Sequence, residues 1–294
     1  MNLEELFCLV DDFCKVFVPQ WEKILLIHGN RKRKRSGTMG ISEIITIYLL
    51  FQSSHYRNFK HFYLGQILCG ELKSAFPHSI SYTRFISLVP RIFIPLCALL
   101  QSIRAEFDGI GFIDSTPIAV CGNKRIYGHK VFKQCAQLGK TTKGWFYGFK
   151  LHLICNSQGE LCACKITPGN CSDLTPVDDM TADMLGKLFG DKGYIDEKLG
   201  HSLLQRGLHL ITGIRKNMKN KLMLLIDKIL LRKRSVIEST NNQLKNVFHL
   251  EHTRHRSPIN GFISMICAII SYAFHPNKAT FNLTSQEKQM LVSA

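Results

Sequence analysis

The chain shows no cysteine spacing of a disulfide framework, no hydrophobic run long enough to cross a bilayer, and too few acidic side chains to balance its basic ones. Its eleven cysteines are an odd number without paired spacing, which excludes a small oxidised scaffold and leads us to expect a reducing compartment, the cytoplasm. The opening Met1-Asn2-Leu3-Glu4-Glu5 has neither the basic start nor the apolar stretch of a signal peptide. The best membrane candidate, Phe262 to Phe274, begins soon after a Ser257-Pro258-Ile259-Asn260-Gly261 breaker and falls short of the roughly 20 apolar residues a span needs. It reads as a buried core helix, and no membrane partner is expected. Cys162, Cys164 and Cys171 lie near His152 but lack the paired spacing of a structural zinc site, so they read as small buried side chains.

The acid deficit is the positive signal. Against 38 Lys and Arg stand 22 Asp and Glu, a formal charge of +16 and a pI near 9.4, which favours a polyanionic partner: nucleic acid or an acidic membrane surface. Residues 1–108 carry 13 basic and 9 acidic side chains and residues 109–294 carry 25 and 13, so most of the excess lies in the second part. A chain of 294 residues with 45% hydrophobic content has room for one large domain and a smaller one.

Residues 1–105 read as a helical domain, with apolar residues at helical spacing in Leu3 to Val18, Ile41 to Phe51 and Arg91 to Ile103. Between the first two lies Arg31-Lys32-Arg33-Lys34-Arg35, a basic run suited to a phosphate backbone or, equally, a solvated loop. Ser54 to Pro90 holds short helical patches that could form a helix-turn-helix. From Gly109 the grain changes to strands: Ile110 to Ser115, then, after a long polar connection, Gly148 to Cys155, a turn at Asn156-Ser157-Gln158-Gly159, and Leu161 to Thr167. A helix from Thr175 to Gly186, a strand ending at Asp191, a helix Asp196 to Arg206, a strand Leu208 to Gly213 and a helical region Leu222 to Phe248 follow. This order predicts a mixed α/β five-stranded sheet flanked by helices over residues 106–275, with 276–294 as a tail.

In that topology Asp114 ends the first strand and Asp191 ends a neighbouring one, so the two carboxylates can share a site at the sheet edge. Glu238 arrives from the last helix, where Arg234, Glu238, Asn241 and Lys245 form one polar stripe. Converging carboxylates are what hard divalent cations need and what phosphoryl transfer uses. The bland alternative is a surface pair between Arg234 and Glu238 one helical turn apart.

At these residues the chain resembles insertion-sequence transposases of the DDE class, whose catalytic domain has the ribonuclease H-like fold. Phe112-Ile113-Asp114-Ser115-Thr116 resembles the strand of the first Asp and Gly144 to Leu153 the second strand. Thr167-Pro168-Gly169-Asn170-Cys171-Ser172-Asp173 is similar to the turn after the third strand, and Gly190-Asp191-Lys192-Gly193-Tyr194 to the second-Asp motif. Arg234, Glu238 and Lys245 match the spacing R-x3-E-x6-K, although Leu231 stands where many relatives have a Tyr. The resemblance implies that Asp114, Asp191 and Glu238 are catalytic and hold two Mg2+ ions, with Mn2+ able to substitute. It implies metal-dependent hydrolysis and strand transfer at element ends, on double-stranded DNA, by at least a homodimer in the bacterial nucleoid.

Further DNA contacts are expected from Arg31 to Arg35, from Arg234 and Lys245, and from Lys124, Arg125, Lys130, Lys133, Lys140 and Lys143. The last six lie in an acid-free connection interspersed with Tyr127, His129, Trp145 and Tyr147. A ribonuclease H-like nuclease without transfer activity and an inactive DNA-binding relic remain the alternatives. His152, on a central strand, reads as a packed histidine.

Overall fold

The computed structural model describes residues 2–28, 37–142, 144–215, 218, 222–251, 255–281 and 287. Arg31 to Arg35 and Lys143 lie outside them. The chain divides into two compact units, one formed by Met1–Ile103 with Asn246–Pro276 and the other by Arg104–Lys245 with Asn277–Ala294.

The first unit is helical. Helix α1 (Leu3–Ile27) starts at a capping box, Asn2 Oδ1 accepting from Glu5 N and Glu5 Oε2 from Asn2 N. Helix α2 (Ile41–Gln52) is apolar nearly all round because it is enclosed on every side. The segment expected to hold a helix-turn-helix instead forms α3 (Phe59–Phe62), running into a π-helical turn at Tyr63–Leu68. Helix α4 (Tyr82–Leu88) and helix α5 (Phe93–Ser102) follow, joined by a 3-10 turn at Val89–Ile92. Tyr82–Ser102 is the one described stretch long and apolar enough to cross a membrane, which corrects the expectation that no run reaches that length and that Phe262 to Phe274 is the best candidate. Phe85, Leu88, Ile92, Leu96 and Leu99 bury its inner face in the unit's core, as expected of a core helix.

The second unit is built on a sheet of β1 (Ile110–Cys121), β2 (Gln137–Thr141), β3 (Gly144–Asn156), β4 (Leu161–Pro168), β5 (Gly186–Gly190) and β6 (Leu208–Thr212). The order is β2-β3-β1-β5-β6, with β4 also on β3. Strands β1, β3 and β4 are antiparallel neighbours, while β5 and β6 run parallel to β1. This is the mixed ribonuclease H-like sheet, with one strand more than the sequence predicts. The added β2 lies in the polar connection, where Lys140 and Gln137 break any apolar alternation; it extends the edge that β4 also occupies. Strand β1 also runs further than expected, through Pro117. Beyond Phe112 it is paired only with β3, and a proline lacking an N–H donor is tolerated on such a half-paired segment. At the β3–β4 turn, Asn156 Oδ1 accepts from Gln158 N and Glu160 N, and Gly159 takes φ +70°, where a Cβ would sit 2.1 Å from Ala279 O.

The helix expected over Thr175 to Gly186 shrinks to α6 (Val177–Met180). The Thr181 hydroxyl bonds back to Val177 O, and the chain then turns into β5 through Gly186 at φ +121°. Helix α7 (Glu197–Gln205), capped by Asp196, links β5 to β6. The last helical region is two helices, α8 (Leu225–Lys233) and α9 (Ser235–Asn246).

The chain then returns to the first unit. Helix α10 (Pro258–Phe274) buries Ile263, Ile266, Cys267 and Ile270 among the side chains of α2, α4 and α5. Gln52 Nε2 donates to Ser264 O and Oγ at 2.8 and 2.9 Å. The expected domain limit of 106–275 is therefore corrected: α10 belongs with the N-terminal helices, and 277–281 with the sheet. A fully apolar helix is claimed by whichever core has room for it, and no local pattern announces which.

Candidate active site

Period-two alternation along β1 puts Phe112, Asp114 and Thr116 on one face. Phe112 is paired with Phe189 across the parallel β1–β5 ladder, so Asp114 and Asp191 lie equally far beyond the same rung. Asp191 caps the turn Lys192–Tyr194, its Oδ1 accepting from Gly193 N at 2.8 Å, which fixes the carboxylate at the strand end.

Helix α9 brings the remaining polar groups along β1. Asn241 Nδ2 donates to Asp114 Oδ2 at 2.9 Å, and Lys245 Nζ donates to Pro117 O at 2.6 Å. Arg234 donates from Nη2 to Glu238 Oε1, and its Nη1 stands 3.9 Å from Asp114 Oδ1. The stripe 234, 238, 241 and 245 is thus an arm laid along one strand. Arg234 and Glu238 do form the pair a surface helix would, but their ion pair reaches on to Asp114. The Glu238 side chain remains 58% exposed, against 21% for Asp114 and 19% for Arg234.

Burial pushes the Asp114 carboxyl up to about 6; Arg234 pulls it down, and the charges of Asp191 and Glu238 push it further up. The three acids therefore share one electrostatic field. They do not yet form a cage: among the described residues no three of His, Cys, Asp and Glu are close enough to hold a metal ion as the side chains lie. The donors nevertheless fit a hard divalent cation. All are oxygens, one guanidinium faces two of the three carboxylates, and the buried Oδ1 of Asn241 has no hydrogen-bond partner among the described residues.

A second polar cluster lies across the sheet, on the face of Ser115. Its hydroxyl donates to Asp173 Oδ1 at 2.8 Å, and Lys150 Nζ donates to the same oxygen and to Cys171 O, both at 2.9 Å. His152, paired with Ser115 across β1–β3, bonds Thr167 Oγ1 through Nε2 at 2.8 Å. Burial holds its imidazole down at about 4, so it is neutral and packed near neutrality. Asp173, Lys150, Asn241 and Tyr194 were given no role by sequence reasoning. Asp173 and Tyr194 stood in the quoted motifs and Asn241 in the α9 stripe, but only folding shows what each touches.

Of the expected DNA contacts, Lys124, Arg125, Lys130, Lys133 and Lys140 are exposed. Tyr127 is fully open, and Lys140 Nζ lies 5.4 Å from the centre of the exposed Trp145 ring. Tyr147 and His129 instead pack against each other, ring centres 6.1 Å apart. The four rings thus divide into two presented and two anchoring.

A ribonuclease H-like sheet with aspartates at adjacent strand ends and a helix glutamate beside them defines a protein of the DDE class. Residues 104–258, a little over half of the chain, match the transposase DDE domain family, and the chain belongs to it. A structure of the piggyBac transposase synaptic complex with hairpin DNA, determined by cryo-EM, is similar at 11% identity with a TM-score of 0.46, over 83% of this chain and 68% of that one. No curated protein matches the sequence.

Proposed function

We propose that this transposase cuts DNA phosphodiester bonds at the ends of an insertion sequence and joins the freed strands to a target, with Asp114, Asp191 and Glu238 as its catalytic acids. The observation that carries this reading is that Asp191 and Glu238 act on the charge of Asp114 while Arg234 stands between Asp114 and Glu238. Asp114, Asp191 and Glu238 would hold Mg2+ or Mn2+, which when bound activates a water or a DNA 3′-hydroxyl and stabilises the leaving oxygen. The chain's own part is to fix the acids: Asp191 through Gly193 N, Asp114 through Asn241, Glu238 through Arg234. The basic connection before β3 supplies sequence-independent grip on the phosphate backbone, and Tyr127 and Trp145 offer faces on which unpaired bases can stack. Joining two ends requires two active sites, hence at least two copies on DNA, working at the nucleoid.

The test is incubation of wild-type protein and Asp191→Asn with DNA flanking its own gene and Mg2+ or Mn2+, scoring cut ends and joined products. Loss of both products with DNA binding retained supports the proposal. Cleavage surviving in the variant overturns the assignment; cut ends that are never joined, even with target supplied, identify a nuclease.

A further inference from the structure

Helix α1 is packed along only part of its length. Its buried residues, Leu6, Val10 and Cys14, all lie in the first half. From Lys15 to Ile27 no residue is buried, although eight of them are large and apolar. A helical stretch that short is marginal in water unless a face of it is packed.

The uncovered side chains are ordered. Positions 9, 13, 16, 20, 23 and 27 follow one another at intervals of four, three, four, three and four, the 3.5-residue repeat of a coiled-coil seam. Leu9, Phe13, Val16 and Ile27 hold four of these positions, Gln20 and Lys23 the other two, and Ile24 flanks the seam. Leu9 is 43% exposed, Val16 66%, Ile24 53% and Ile27 70%. Beside the seam Phe13, Phe17 and Trp21 stack in succession, ring centres 5.3 and 6.4 Å apart, which stiffens the same side.

Charge sets this face apart from the DNA-binding surfaces. Helix α1 carries five acidic and two basic side chains within a chain of formal charge +16, so it repels the polyanion that the rest attracts. The same charges suit a second α1 running in the opposite direction. With a twofold axis crossing the seam between Val16 and Gln20, Leu9 faces Ile27 of the second copy, Val16 faces Gln20, and Phe13 faces Lys23. Each Lys23 ammonium then comes beside Asp12 of the other copy. Asp12 is loosely held within its own chain: Lys15 Nζ lies 2.9 Å from Asp11 but 3.5 Å from Asp12, and both Lys15 and Asp12 point largely into solvent. A parallel pair would instead set Lys23 against Lys23 and Asp12 against Asp12.

We propose that the outer face of α1 is an interface with a second copy of this chain, formed by two antiparallel α1 helices. The proposal deepens the preceding reading, which needs two copies on DNA, by naming the surface through which they meet. One helix pair is small among specific interfaces, so free protein associates reversibly and the contact tightens where DNA holds two copies at high effective concentration.

Sedimentation velocity of the full chain over a concentration series, without DNA or metal, reads the association, and a thermal melt of each variant reports folding. Wild type is expected to pass from monomer to dimer as concentration rises. Val16→Glu and Ile24→Glu, at exposed positions, should leave the melting temperature unchanged and weaken the dimer by at least about tenfold, because each puts a charge into an apolar seam. Asp12→Lys and Lys23→Asp should each weaken it, and the two together should restore it, a rescue that antiparallel pairing alone gives. A wild type that stays monomeric across the series and binds DNA as single copies overturns the proposal. So does a dimer indifferent to Val16→Glu and Ile24→Glu, or one that the double charge exchange fails to restore. No cleavage is scored, so a protein that dimerises in this way and cuts nothing overturns the preceding reading alone.

Discussion

One guanidinium, that of Arg234, donates to Glu238 Oε1 and stands 3.9 Å from Asp114 Oδ1, spanning two of the three acids. Positive charge held there favours the ionised form of Asp114 in the metal-free protein. It also competes with any cation for the same oxygens.

Arg234→Gln is therefore expected to bind Mn2+ more tightly than wild type while cleaving DNA more slowly, as read by metal titration and by end-cleavage rates. If its metal affinity falls instead, Arg234 organises the acids and does not compete with the ion.

Asp114→Asn separates stability from function. Ionised Asp114 sits in a buried place that lifts its carboxyl from 3.8 to about 6, a penalty on the order of 2–3 kcal/mol at neutral pH. The variant is expected to melt higher than wild type without metal, to lose the stabilisation that added Mg2+ gives, and to cleave nothing. Melts with and without Mg2+ check this.

The pH dependence of stability should be unusually flat between about 4 and 6, because two buried groups oppose each other there. The raised carboxyl of Asp114 favours the folded state below 3.8, and this contribution is lost as pH rises through about 6. The depressed imidazole of His152 favours the folded state above 6.5, and that contribution is lost as pH falls through about 4. Urea midpoints at low and neutral pH should then fall with acid in Asp114→Asn and rise with acid in His152→Gln. Parallel pH profiles in the two variants would refute the opposition.

Lys124, Lys130 and Lys133 are exposed on one connection. Replacing all three by Gln should reduce the slope of log affinity against log salt by about 2 to 3, at similar cost on any DNA sequence. Lys245→Met should reduce that slope by about 1 and, because its ammonium is bonded to Pro117 O, should also lower stability by about 1 kcal/mol. Anisotropy titrations across salt concentrations distinguish the two.

Much of the sheet is legible in the sequence because its strands alternate and their ends are punctuated: Asn156 to Gly159 turn the hairpin, and Asp196 caps α7. Adjacent strands then bring Asp114 and Asp191 into register, and helical spacing alone aligns Arg234, Glu238 and Asn241. Strand β2 is not legible, because Gln137 to Thr141 forms a strand by pairing with an existing edge and not by its own apolar pattern. Nor is the Ser115–Asp173–Lys150 cluster, whose members are brought together only by the β1–β3–β4 ladders.

The return of α10 to the first unit has a consequence for biosynthesis. Ile263, Ile266 and Ile270 emerge from the ribosome only after the entire sheet has been made, so the N-terminal helices must wait with part of their oily side uncovered. A chain released just before residue 258 would carry all three acids yet leave Ile44, Leu49 and Leu96 without their lid, prone to clump before it could act.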